Sequence, residues 1–259
     1  MKVRSRVAAL AATLPLLAGV AGCADDAAVK PVTGTTKPAA VPAKAVAPPA
    51  RLTTATFVPV TAAAYAKVKS WTGVMRMSAG GQVLTATITQ TYKPDAVRVD
   101  LSSPQFGGPA HGILTRGAMY LYIPDPKLHG KYLKFSPKSS DPTAMLFAQL
   151  LGASDPATEL KAMRKAVLKV KFVKADTIGF RKVDRYDLTL NNAVMLRAMG
   201  MKVPAGLPKT SVVATWLGPD RLTYKQMTSG AGSQTQTTIT GYNTGVTIAV
   251  PPASKILKR

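Results

Sequence analysis

The chain has 259 residues, a length that suits one domain of ordinary size with an additional tail. It carries 34 Lys and Arg residues against 12 Asp and Glu residues, and its only cysteine is Cys23, which excludes a disulfide within the chain. After residue 22 the sequence has no apolar run of about 18 residues, so it predicts no further membrane-spanning helix. The excess of positive charge indicates an acidic partner, with solubility alone as the alternative.

The first 23 residues have the pattern of an export signal. Three basic residues precede an apolar run over 7–20, and small residues lead to Cys23. This spacing resembles the lipobox of bacterial lipoproteins, which implies that the Cys23 thiol receives a diacylglyceryl group before a signal peptide over 1–22 is removed. The alternative is an ordinary secretory signal followed by a cysteine by chance. Export argues against nucleic acid as the acidic partner and favours anionic lipid or wall polymer.

The segment after Cys23 is rich in Ala, Pro, Thr, Val and Lys. Its regularly placed prolines interrupt any helix or strand, and its composition is typical of chains that cannot bury enough apolar surface to fold. We therefore predict an acylated Cys and a disordered linker over 23–60, followed by a folded domain over 61–259.

From residue 61 onward, apolar residues recur with a period of two. Val97, Val99 and Leu101, for example, alternate with Arg98 and Asp100. Turn residues separate such segments, and further strands are predicted over 211–217, 221–228, 233–241 and 245–250. About ten strands with tight connections predict a meandering antiparallel sheet with one apolar face.

Four helices are expected among these strands, over 61–70, 142–151, 156–166 and 193–199. The second and third each begin with an Asp-Pro pair, in which Asp is the N-cap and Pro the first helical residue. The helix over 142–151 is apolar on nearly all sides and must be buried. The expected fold class is α+β, with a single curved antiparallel sheet, a half-barrel, that covers a few helices.

The sequence offers no pattern typical of an enzyme or a metal site. The two histidines, His111 and His129, are not spaced as metal ligands, and a G-x-S-x-G elbow, a P-loop and a dinucleotide fingerprint are missing. We therefore expect a protein without enzymatic activity, metal or cofactor. An envelope enzyme that uses two carboxylates is the alternative.

Methionines are frequent in the predicted strands and helices. A flexible thioether suits a surface that adapts to a flexible ligand, whereas plain core filling is the alternative for any one of them. The nine methionines beyond the first residue are Met75, Met77, Met119, Met145, Met163, Met195, Met199, Met201 and Met227.

Dispersed motifs over about 61–255 resemble those of a known family. They are Ser-Trp-Thr-Gly over 70–73, Gly-Ala-Met-Tyr-Leu-Tyr over 117–122, Ala-Thr-Trp-Leu over 214–217 and the closing segment 239–251. The chain is similar to the LolA-like superfamily, and more closely to the actinobacterial LppX/LprA/LprG lipoprotein family. The resemblance implies a half-barrel sheet over helices, with a hydrophobic cavity between them that holds a lipid or an acylated molecule.

We therefore expect a monomeric envelope lipoprotein that binds or carries a lipid or acylated glycolipid, with Lys or Arg at the cavity mouth for an anionic headgroup. The alternative is a lipid-anchored sensor or interaction protein with a packed core that contacts a partner protein or an anionic wall polymer. The candidate cavity-wall residues are Met119, Leu121, Met145, Leu146, Phe147, Leu150, Leu151, Val170, Phe172 and Leu188.

Overall fold

The computed structural model of the protein describes residues 50–102, 108–136, 139–141, 144, 156–230 and 232–257, with the backbone alone at 156–158. The predicted signal peptide, Cys23 and the linker up to residue 49 lie outside the described residues. The predicted helix over 142–151 also lies outside them, apart from Ala144.

Eleven strands form one antiparallel sheet. In chain order they are β1 Ser70–Ala79, β2 Gln82–Tyr92, β3 Asp95–Ser102, β4 Ala110–Thr115, β5 Met119–Tyr122, β6 Leu133–Phe135, β7 Val167–Ile178, β8 Arg181–Asn191, β9 Thr210–Leu217, β10 Thr223–Gly230 and β11 Ser233–Tyr242. Two meanders, β1–β6 and β7–β11, meet where β1 pairs with β11. The sheet is the predicted curved half-barrel of an α+β fold.

Period-two alternation correctly identified the two faces of β3. In β3, Val97, Val99 and Leu101 are buried, while Arg98 and Asp100 are half-buried on the other face. Alternation of this kind places every second side chain on the concave face of the sheet, where the helices pack.

The prediction of a strand over 245–250 was wrong. Asn243 adopts a left-handed conformation (φ 55°) directly after β11, and the chain leaves the sheet there. The following segment runs along the outer face, where Ile248 packs against Ile113 and Tyr120. Its alternation therefore reflects one-sided packing of an extended segment. Conversely, β6 was not predicted, because its three residues are too few to show a pattern.

The described residues contain three α-helices, α1 Phe57–Tyr65, α2 Pro156–Ala166 and α3 Asn192–Ala198. The bounds of α2 are those predicted, and α3 begins one residue earlier than predicted. Asn191 caps α3, since its side-chain oxygen accepts a hydrogen bond from the Val194 amide at 3.1 Å.

The first helix corrects the predicted boundary between linker and domain. It begins at Phe57, inside the segment predicted to be disordered, and ends before residue 70. Pro59 is tolerated because it lies in the first helical turn, where its missing N–H would have no helical partner. Leu52, Phe57 and Val58 are buried, so the packed domain starts before residue 61.

Two apolar clusters cover the concave face, and we name them for what packs there. The helix cluster joins the three helices to β8 and β9, and its buried members are Leu52, Phe57, Val58, Leu160, Ala162, Met163, Ala166, Tyr186, Leu188, Leu190, Met195, Val213 and Leu217. The meander cluster belongs mainly to β1–β6, and its buried members are Trp71, Ala86, Ile88, Val97, Val99, Leu101, Ala110, Met119, Leu121, Phe135 and Ala144. A cavity lies between the two.

Candidate functional site

The cavity, of about 90 Å³, lies between the concave face of the sheet and helices α1 and α2. Its lining combines residues far apart in the chain, because the pairing of β1 with β11 brings the two meanders together. The lining residues are Phe57, Thr61, Tyr65, Trp71, Met75, Ile88, Glu159, Leu160, Met163, Thr215, Thr223, Gln226, Thr237 and Ile239.

One wall of the cavity is apolar and comes from the edge of the meander cluster. Trp71, Met75 and Ile88 lie on β1 and β2, and Ile239 lies on the neighbouring β11. The indole of Trp71 is held in place because its Nε1 donates a hydrogen bond to the side-chain oxygen of Gln90 at 3.0 Å.

Gly73 makes the close packing behind this wall possible. A Cβ at this position would lie 2.9 Å from the backbone oxygen of Thr238, 3.1 Å from Ile239 and 3.2 Å from the Trp71 ring. The register of the β1–β11 pair also shifts between Thr72 and Gly73. Glycine therefore lets β11 approach β1 while Trp71 and Ile239 face the cavity.

The opposite wall is polar and comes from α2, β9 and β10. The amide nitrogen of Gln226 donates a hydrogen bond to a carboxylate oxygen of Glu159 at 2.9 Å. Thr215 is only 2% exposed, and its hydroxyl oxygen has no hydrogen-bond partner among the described residues. A buried hydroxyl without a partner is costly, so this wall can accept a polar group from a ligand.

Tyr65 lines the cavity near Thr223, and Tyr242 and Tyr224 pack behind it. Tyr65 and Tyr242 share a hydroxyl–hydroxyl bond of 2.8 Å, and the hydroxyl of Tyr242 donates to the backbone oxygen of Thr223. Tyr224 packs edge-on against Tyr242 with ring centroids 5.5 Å apart. Burial raises the pKa of Tyr65, and burial followed by the neighbouring hydroxyl of Tyr65 raises the pKa of Tyr242. These hydroxyls therefore stay neutral and act as hydrogen-bonding groups.

None of the predicted wall residues that the structure describes lines this cavity. Met119 and Leu121 are fully buried in the meander cluster, and Leu188 is fully buried in the helix cluster. Val170 and Phe172 pack against the margin of the helix cluster, where the Arg51 guanidinium lies 4.0 Å from the Phe172 ring centroid. Cys23 and the five predicted residues of the helix over 142–151 lie outside the described residues: Met145, Leu146, Phe147, Leu150 and Leu151.

Two of the methionines singled out in the sequence, Met75 and Met163, do line the cavity. Most of the others lie elsewhere: Met119 and Met195 are buried in the clusters, and Met227 packs on the outer face near Trp216. The polar wall was missed, because Thr215, Gln226 and Glu159 carry no sequence motif that joins them. The basic residues expected at the cavity mouth are not among the described lining residues, whose one acidic or basic side chain is Glu159.

The described ranges contain no cluster of three or more His, Cys, Asp or Glu side chains placed to hold a metal ion. None of the helices among them is long and apolar enough to cross a membrane.

Two solved structures are similar to this chain over nearly their whole length. The lipoprotein LppX of Mycobacterium tuberculosis aligns with a TM-score of 0.52 and 10% identity, covering 76% of this chain and 98% of LppX. LprF from Mycobacterium bovis aligns with a TM-score of 0.52 and 14% identity, covering 76% of this chain and 96% of LprF. The chain therefore has the fold of LppX. This confirms at the level of the fold the resemblance found in the sequence.

At these identities the likeness shows the fold alone. No family model and no curated protein matches the sequence. The function of the cavity in this LppX-like fold must therefore be argued from its own residues.

Proposed function

We propose that this protein is a non-enzymatic, monomeric lipoprotein of the cell envelope, anchored through acylated Cys23, that binds a lipid or acylated glycolipid in the cavity between its sheet and helices. The observation that carries the proposal is the cavity itself, placed where the helix cluster and the meander cluster meet. The LppX-like fold and the export pattern before Cys23 support it.

The volume of the cavity bears on how such a ligand would bind. At about 90 Å³ it is much smaller than the roughly 300–1,000 Å³ of ordinary ligand sites, so a long acyl chain requires the helices to move outward. Withdrawing Leu160 and Met163 of α2 from the sheet would cost about 3–6 kcal/mol. Burying ten methylenes of an acyl chain contributes about 8 kcal/mol, which exceeds that cost. Met75 and Met163 provide side chains that can rearrange around the chain.

The polar wall indicates which part of the ligand is neutral. A phosphate beside Glu159 would repel its carboxylate and would be desolvated without a basic partner among the described lining residues. A hydroxyl or amide group could instead donate to Glu159 or bond to the hydroxyl of Thr215. We therefore assign the inner end of the ligand to a neutral hydrogen-bonding group, with any anionic headgroup outside the cavity.

A second function is favoured by the same small volume. If 90 Å³ is the resting and only state of the cavity, the domain is a packed scaffold. The protein is then a lipid-anchored sensor or interaction protein whose basic surface contacts a partner protein or an anionic wall polymer.

Substitution of Met163 by tryptophan separates the two functions. The full chain is purified from membranes, its bound lipid is extracted and quantified by mass spectrometry, and its thermal unfolding is recorded. For lipid binding we expect a bound lipid in the wild type and at least a tenfold loss in Met163→Trp, because the indole fills the cavity.

The matched control is Met199→Trp, which makes the same substitution at a partly buried residue that packs against the helix cluster without lining the cavity. It should retain the lipid. A wild type that carries no lipid, together with a Met163→Trp variant that is stable and still localises to the membrane, would support the packed scaffold instead.

A further inference from the structure

Phe180 is a large apolar side chain that is fully exposed. It occupies the tip of the β7–β8 hairpin, in the two-residue turn between the paired residues Ile178 and Arg181. The other turn residue, Gly179, has a φ of +58°, a left-handed conformation that glycine adopts without strain and that keeps this turn tight. The fold thus presents one aromatic ring to solvent at the end of a well-defined hairpin.

The tip lies at the end of the sheet where the described chain begins. Asp184 of β8 pairs with Leu217 at the end of β9, so the turn after β9 lies beside the β7–β8 hairpin. In that turn, Arg221 donates a hydrogen bond to the backbone oxygen of Ala50 at 3.3 Å. Phe180 is four residues further along the hairpin than Asp184, at the same end of the sheet as this turn.

The described chain, which follows the predicted anchor in the sequence, enters the domain at this same end. Cys23 precedes Ala50 by 27 positions, which can span at most about 90 Å. Because the chain enters the domain beside the β7–β8 hairpin, an anchored Cys23 can bring the tip to the bilayer without passing around the domain.

Basic residues outnumber acidic residues at the end of the sheet that carries Phe180. The acidic residues at this end are Asp95, Asp176, Asp184 and Asp220. Asp176 accepts a hydrogen bond from the Trp216 indole at 2.9 Å and lies 3.6 Å from the Lys174 ammonium, and Asp220 accepts one from the Tyr224 hydroxyl at 2.7 Å. The exposed basic residues at the same end are Lys67, Lys69, Lys93, Arg116, Arg181 and Lys182. Basic side chains are attracted to anionic headgroups, and an aromatic ring is favourable at the membrane interface.

We propose that this end of the sheet docks on the anionic surface of the anchoring bilayer, with Phe180 inserted at the level of the headgroups and Arg181 and Lys182 beside their phosphates. The inference rests on the acyl anchor of the proposed function and adds the orientation of the domain. Trp71 and Tyr65 of the cavity lie toward the same end of the sheet, so docking would bring the cavity close to the membrane.

The test uses tryptophan as a depth probe in the acylated full chain, reconstituted in phosphatidylcholine vesicles with about 30% phosphatidylglycerol. The native Trp71 and Trp216 are buried and give a constant background. Phe180→Trp places a probe at the tip. The matched control, Val83→Trp, places one at an exposed apolar residue near the β1–β2 turn, at the opposite end of the sheet. Quenching by lipids brominated along the acyl chain is measured for both.

We expect several-fold stronger quenching at position 180 than at position 83. The quenching should weaken in vesicles of phosphatidylcholine alone, in about 0.5 M salt, and when Arg181→Gln and Lys182→Gln are added to Phe180→Trp. Equal quenching at the two positions, or none at position 180, overturns the proposal. A blue shift of the tip probe that depends on protein concentration and not on lipid would indicate a second copy as the partner and also overturn it. Failure of the anchor is distinguishable, since the protein would then not be recovered with the vesicles.

Discussion

The two halves of the concave face are filled in different ways. On the β7–β9 side, three helices pack against large side chains such as Tyr186 and Leu188, forming the helix cluster. On the β1–β6 side, the strands contribute nearly all the described buried residues, and Ala144 is the one described member from the segment between β6 and α2. The cavity lies between these halves, where neither cluster supplies enough apolar volume.

The sequence of the central strands explains this location. β10 and β11 are dominated by Thr, Gln, Ser and Gly, so Gln226, Thr223 and Thr237 face the helices where larger apolar residues would otherwise fill the space. β11 is also the strand that joins the two meanders. The site therefore depends on the junction between the halves, where β1 pairs with β11, more than on the packing within the helix cluster or the meander cluster.

The largest expected effect tests whether the halves fold as one unit. Tyr186→Ala in the helix cluster removes a fully buried ring that packs against Phe57 and Phe172. It should lower the free energy of unfolding by about 3–5 kcal/mol, and Leu121→Ala in the meander cluster by about 2–5 kcal/mol. Denaturant unfolding followed by circular dichroism and by tryptophan fluorescence should give one coincident transition for each variant.

Tyr186→Phe is the control for the first variant. It keeps the ring and loses only the hydrogen bond from the Leu52 amide to the hydroxyl, so about 1 kcal/mol is expected. Two separate transitions, with Trp71 and Trp216 reporting different midpoints, would show that the halves unfold independently and that the β1–β11 pairing does not couple them.

The next effect concerns the junction itself. Gly73→Ala would place a Cβ 2.9 Å from the backbone oxygen of Thr238, so β1 and β11 must separate or Trp71 must move into the cavity. We expect a loss of about 1–3 kcal/mol in the free energy of unfolding together with reduced lipid retention. Gly117→Ala is the matched control, because no heavy atom lies within 4 Å of its added Cβ. Equal stability of the two variants would show that β11 can move away from β1 at Gly73 without cost.

The sequence was sufficient to predict which strand residues are buried, but not where the cavity lies. Alternation correctly placed Met119, Leu121 and Leu188 in the interior, and the Asp155-Pro156 pair correctly placed the start of α2. A period of two reports which face of a strand is buried, but not whether a packed core or a cavity lies against that face. That distinction depends on pairing between strands far apart in the chain.

Residues of the polar wall illustrate the same limit. Thr215 and Gln226 are opposite each other on β9 and β10, and Gln226 reaches Glu159 across a sequence separation of 67 residues. No local pattern encodes that meeting. The start of α1 was missed for a different reason, since a proline-rich composition conceals a helix that tertiary packing of Phe57 and Val58 stabilises.

A smaller effect on stability is expected from ion pairs on the outer faces of the two halves. Both faces carry an Arg-x-Asp pattern. On β3, Arg98 and His111 both hydrogen-bond Asp100, whereas on β8 Arg185 pairs with Asp187. Burial opposes ionisation of Asp100, but the hydrogen bonds from Arg98 and His111 outweigh it and lower its pKa. We expect Asp100→Asn to cost about 1 kcal/mol at neutral pH, and Asp187→Asn less.

The pH dependence of Asp100→Asn has a defined sign. Because the pKa of Asp100 is lower in the folded protein than in the unfolded chain, its contribution is complete above the unfolded value of about 4 and is lost as the pH falls through the folded value. The difference in free energy of unfolding between wild type and Asp100→Asn should therefore shrink as the pH falls below about 4. A difference that stays constant over that range would mean that the carboxylate charge contributes nothing.

The smallest effect on stability is also the most informative about the cavity. Thr215→Val keeps the shape of the side chain and removes a buried hydroxyl that has no hydrogen-bond partner among the described residues. In the ligand-free protein this substitution should be neutral or raise the free energy of unfolding by up to about 1 kcal/mol, because the cost of desolvating the hydroxyl disappears.

If a hydroxyl or amide of the lipid bonds to Thr215, the Thr215→Val variant should retain several-fold less lipid. Lipid retention is compared with Ser211→Ala, which alters a buried hydroxyl that already bonds to Asn192 at 2.6 Å, away from the cavity. Greater stability with unchanged lipid retention would place the polar group of the ligand elsewhere, and greater stability in a protein that carries no lipid would favour the packed scaffold.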